Sequence, residues 1–70
     1  MRLSTRNQLP ATVTEVNIGG VMATVKVRLD GGDQIMTASI TKDAVEELGL
    51  AEGVATTVLV KSTEVALAVD

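Results

Sequence analysis

The segment Val21-Met22-Ala23-Thr24-Val25-Lys26-Val27-Arg28-Leu29 reads as a β-strand with one face against a core. Val21, Ala23, Val25, Val27 and Leu29 alternate with Met22, Thr24, Lys26 and Arg28, and side chains of a strand point to opposite faces with a period of two. In front of it, Gly19-Gly20 predicts a tight hairpin with φ > 0 available at both turn positions, joined to a strand over Ala11–Ile18 that is rich in Thr and Val. Behind it, Asp30-Gly31-Gly32-Asp33 predicts a second turn, followed by a third strand over Gln34–Ile40.

From Thr41 to Leu48 the period changes. Ala44, Val45 and Leu48 fall on one face of a helical turn, with Lys42, Asp43, Glu46 and Glu47 on the other. This predicts a short helix with Thr41 as N-cap, Asp43 at the positive end of the dipole and Gly49 in the left-handed position that stops it. Leu50 is then placed to pack back on the helix. Ala51–Gly53 turns the chain, and two more strands are expected at Ala55–Ser62 and Glu64–Val69. The fold class is therefore all-β with one short helix. Strand, strand, strand, helix, strand, strand is the order of an OB-like five-stranded small barrel, read as a single domain over residues 1–70.

Composition narrows the function. Of the 70 residues 46% are apolar, yet Phe, Tyr, Trp and Cys are all absent, so the core is built from small aliphatic side chains without a disulfide or thiolate metal site as a staple. Burial against other copies is the remaining source of stability, which predicts an obligate homo-oligomer. The net charge of −3 argues against a nucleic-acid or anionic-membrane partner, since both need clustered Lys and Arg. The longest apolar run, Val65–Val69, is far short of a membrane span of roughly 20 residues, and no signal-peptide h-region precedes it, so a cytoplasmic location is expected.

With neither Cys nor His, nucleophilic catalysis through a thiol or a Ser-His pair is not expected, and the chain reads as a non-enzyme. Glu15, Asp30, Asp33, Asp43, Glu46, Glu47, Glu52, Glu64 and Asp70 are scattered over turns and a helix face, which offers no paired-carboxylate site and no metal held by side chains. Gly19-Gly20 and Gly31-Gly32 lack the flanking pattern of a nucleotide loop. What is left is a sparse set of hydrogen-bond donors: Arg2, Ser4, Thr5, Arg6 and Asn7 before the first strand, and Lys61, Ser62 and Thr63 between two apolar segments. A tetrahedral oxyanion accepts hydrogen bonds and donates none, so these residue types suit it. On composition alone, solvated terminal arginines and an ordinary hairpin corner are the favoured explanation of the same residues.

The order of residues weights the choice. Leu3-Ser4-Thr5-Arg6-Asn7-Gln8-Leu9 resembles the opening of the molbindin, or Mop-type, family of molybdate-binding proteins, in which a small residue usually stands where Thr5 does. Gly19-Gly20-Val21, Ile40–Leu50 and the ending Val60-Lys61-Ser62-Thr63-Glu64-Val65 are similar to that family in order and spacing, so the resemblance spans the chain. It implies an OB-like barrel that assembles as a homohexamer, a trimer of dimers, and binds molybdate or tungstate at subunit interfaces without a cofactor. By position it implies Ser4 and Arg6 of one chain meeting Lys61 and Ser62 of another, with Thr5 and Asn7 as flanking candidates. A second kind of site, lined by main-chain donors, is implied around Gly20, Val21 and Met22. Members often carry Asn at the position of Met22, and a thioether cannot donate a hydrogen bond. The resulting expectation is an intracellular molybdate store or buffer. Alternatives are a sensor module, a ligand-free structural oligomerisation module, and an OB-like single-stranded nucleic-acid binder, the last lacking the aromatic platform and basic groove it needs.

Overall fold

In the computed structural model, which describes residues 1–70, the chain runs β1 (Asn7–Ile18), β2 (Met22–Leu29), β3 (Ile35–Thr41), α1 (Lys42–Leu48), β4 (Ala55–Val60) and a single 3-10 turn at Ser62–Glu64. The strands form one antiparallel sheet in the order β3-β2-β1-β4. The alternation in β2 holds along the strand: Ala23, Val25 and Val27 are buried, and Lys26 and Arg28 are not.

β1 does something the sequence reading did not describe. Its pairing with β2 goes from Val13↔Val27 directly to Glu15↔Lys26, leaving Thr14 as the extra residue of a β-bulge. The bulge changes the phase of the strand. Ala11 and Val13 face the core before it, and Val16 returns to the core side after it, opposite Val25, while Glu15 stays in solvent beside Lys26. A bulge also bends the strand and increases its twist, which curls the sheet around the core. Pro10, which has no N–H to give, lies where the β2 ladder has ended; its carbonyl accepts from Asp30 N–H at 3.0 Å.

The helix caps are as expected. Thr41 Oγ1 accepts from Ala44 N–H at 3.0 Å, Gly49 has φ 64°, and Leu50 N–H reaches back to Val45 O at 3.0 Å. That last bond, with Gly49 N–H to Glu46 O at 3.2 Å, is a Schellman closure, so Leu50 does pack back. The helix delivers Val45 to a core of Ala11, Val13, Ala23, Val25 and Val27. Every buried side chain is Ala or Val, as a chain without aromatics requires.

Three expectations are corrected. The fifth strand over Glu64–Val69 does not form: Glu64 closes the 3-10 turn, and Val65 to Asp70 make no ladder. Glu64 N–H bonds to Lys61 O at 2.9 Å and Val65 N–H to Ser62 O at 3.4 Å, and this turn ends β4 at Val60 and leads the chain off its edge. The barrel is thus a four-stranded half-barrel, with β3 and β4 as free edges. Finally, neither Gly19 nor Gly20 takes a positive φ. Gly19 N–H donates to Met22 O at 2.8 Å, and a Cβ on Gly19 would stand 2.9 Å from that oxygen, so close approach is what calls for glycine there.

Candidate functional site

The register of β1 with β4 brings the two ends of the chain together. Asn7 pairs with Val60, so the residues just before Asn7 and just after Val60 leave the sheet side by side. Asn7 Nδ2 donates to Val60 O at 3.0 Å and clamps that junction, which uses its amide for positioning. Gln8 Nε2 donates to Thr5 O at 2.8 Å and holds the segment on the other side.

Ser4, Thr5, Arg6, Lys61, Ser62 and Thr63 line one shallow pocket of ≈ 300 Å³ with no apolar and no acidic residue in its wall. None of these side chains makes a hydrogen bond or ion pair within the chain; the one salt bridge of the molecule is Lys26–Glu15, at 3.8 Å. Two cations and four hydroxyls therefore face a common space with their donors unused. Arg6 can present two parallel N–H groups and Lys61 a compact ammonium, and the hydroxyls can each donate one bond. Such a wall accepts an anion rich in oxygen acceptors and repels a cation.

The sequence reading expected Ser4 and Arg6 to meet Lys61 and Ser62 of another chain, so that the two ends need not meet within one. They do meet within one. Thr5 lines the pocket as well, and so does Thr63, which was counted among the donors but had no place in the motif-matched set. A hydroxyl one residue past Lys61-Ser62 on a tight turn was the signal for it. Gly20, Val21 and Met22 lie elsewhere, in the hairpin at the far end of β1. No group of His, Cys, Asp and Glu is arranged to hold a metal ion.

Residues 3–67 match the TOBE domain family. The chain belongs to the TOBE domain family. It is 46% identical over 65 residues to Molybdenum-pterin-binding protein 2 of Clostridium pasteurianum, covering 93% of this chain and 94% of that one. Among solved structures, a molybdate-binding protein from Sporomusa ovata superposes with TM-score 0.89 at 40% identity, covering 97% and 98% of the two chains. The cytoplasmic molybdate-binding protein ModG superposes with TM-score 0.81 at 42% identity over 89% of this chain and 43% of its own. The molbindin resemblance of the opening and closing motifs is thus shown, and with it the OB-like character of this TOBE half-barrel. No helix is long and apolar enough to cross a membrane.

Proposed function

We propose that this TOBE-family chain binds molybdate or tungstate reversibly and catalyses nothing. The observation that carries the reading is the all-polar pocket in which Arg6 and Lys61 converge without a carboxylate partner. Ser4, Arg6, Lys61 and Ser62 are its ligands: the two cations balance a dianion, and the serines donate to the remaining oxygens and orient the tetrahedron. Thr5 and Thr63 add hydroxyls on the rim. Support for the identity of the anion comes from the relatives, which are named for molybdenum-pterin or molybdate binding.

The mechanism is equilibrium binding. Folding has already gathered the donors, so an anion gains charge-assisted bonds without breaking internal ones, and loading and release follow free concentration. Residues on an open rim leave one side of the anion exposed, and a neighbouring copy covers it in a homohexamer, a trimer of dimers. The sites then lie at subunit interfaces even though one chain supplies the whole wall. Such a protein serves as a cytoplasmic store or buffer; the description of ModG as cytoplasmic supports that location.

Isothermal titration with molybdate, tungstate, sulfate and a short oligonucleotide tests the reading. Micromolar or tighter binding of molybdate and tungstate, with little heat from sulfate and none from the oligonucleotide, is the expected result. Absence of molybdate binding overturns it.

A further inference from the structure

The two walls of the polar pocket are held in unequal ways. The wall of Lys61, Ser62 and Thr63 follows directly from β4 and is closed by its own main chain, with Glu64 N–H on Lys61 O at 2.9 Å and Val65 N–H on Ser62 O at 3.4 Å. The opposite wall, Ser4, Thr5 and Arg6, belongs to the six residues that precede β1 and lie in no helix or strand. Across those six residues there is one hydrogen bond and no ion pair: Gln8 Nε2 donates to Thr5 O at 2.8 Å. Packing adds little, because five of the six are exposed and Thr5 alone is half-buried.

Gln8 itself is fixed. It lies in β1 with Leu59 of β4 as its register partner, so its side chain springs from the sheet and reaches back three residues to the arm. The bond it makes falls on a decisive atom. The carbonyl of Thr5 and the amide of Arg6 are one planar unit, so holding Thr5 O fixes the peptide that joins two pocket residues and, with it, the positions from which both side chains start. An arm without that anchor has to be ordered by the anion itself, and ordering backbone on binding subtracts from affinity. We infer, on the anion reading of this pocket, that Gln8 is a positioning residue which latches the Ser4–Arg6 arm in its binding geometry before the anion arrives, without touching the anion. Gln8 does not line the pocket, which separates its role from that of the donors.

The test compares the full chain with Gln8→Met, which keeps the length of the side chain and loses its donor. Without anion, amide order parameters of Ser4, Thr5 and Arg6 should fall from the rigid range near 0.85 to below about 0.6, while those of Lys61, Ser62 and Thr63 stay where they are. Gln8→Lys, which retains an N–H donor, should keep the arm ordered. Molybdate affinity of Gln8→Met should drop roughly fivefold, the worth of one neutral hydrogen bond, with the urea midpoint unchanged and the arm's order restored at saturation. In an Arg6→Ala background the same substitution should cost less than in a Lys61→Ala background, because Gln8 acts through the arm that carries Arg6. An arm equally ordered in Gln8→Met overturns the latch, as does an arm that loosens with no loss of affinity or an equal cost in the two backgrounds. A full chain that binds no molybdate overturns the anion reading and the positioning role together; binding that Gln8→Met leaves untouched overturns the positioning role alone.

Discussion

The two ends of β1 carry the two places where the sequence motifs pointed to a ligand, and folding has treated them differently. At the Asn7 end, the strand register gathers six polar side chains and leaves their donors unspent. At the Ile18 end, the hairpin uses its main chain internally: Gly19 N–H goes to Met22 O and Lys42 N–H to Val21 O, each at 2.8 Å. The hairpin's side chains, Val21 and Met22, are exposed and apolar and have no donor to offer. Backbone N–H groups satisfied within the fold are not available to an anion. The first end offers unused side-chain donors, and the second keeps at most the main-chain donors of Gly20 and Val21.

Substitutions at the Asn7 end carry the largest expected effects. Arg6→Ala and Lys61→Ala should each cost about 1.5–3 kcal/mol of molybdate affinity, roughly 10- to 150-fold by titration calorimetry, since each removes charge-assisted bonds. Retained affinity in both variants means that the pocket is not the site. A core substitution separates binding from folding: Val25→Ala should lower unfolding free energy by about 2 kcal/mol in urea while the folded protein binds as before. Ser4→Ala and Ser62→Ala remove neutral hydroxyls and should each cost about 1 kcal/mol, roughly fivefold in affinity. The smallest effect belongs to the other end. Met22→Asn adds an amide donor to the hairpin and should change pocket affinity by less than about twofold, while raising the number of anions bound per chain if a main-chain site exists there. Unchanged stoichiometry removes the hairpin as a site; a large change in pocket affinity would break the independence of the two ends.

Particular residues show why some of this was legible in advance. The alternation of Val21–Leu29 and the Thr41/Gly49 caps are local patterns, set by side-chain period and by backbone groups a few residues apart, and both appear as read. The bulge at Thr14 was not foreseen, because a change of strand phase becomes meaningful only once β2 is laid opposite β1. The tail from Val65 was misread for a related reason: its alternation is that of a strand, but a strand needs an edge, and the turn at Ser62–Glu64 takes it from its own.

The sequence by itself therefore determined the residue types: small aliphatics for a thin core, neither Cys nor His, and a few donors near both ends, whose order places the chain in its family. Tertiary structure alone decided that those donors share one pocket within a single chain. The reason is the Asn7↔Val60 register, a contact between residues 53 apart in the sequence. Local pattern cannot encode such a contact, because it exists only after the sheet has curled and its strands have been ordered.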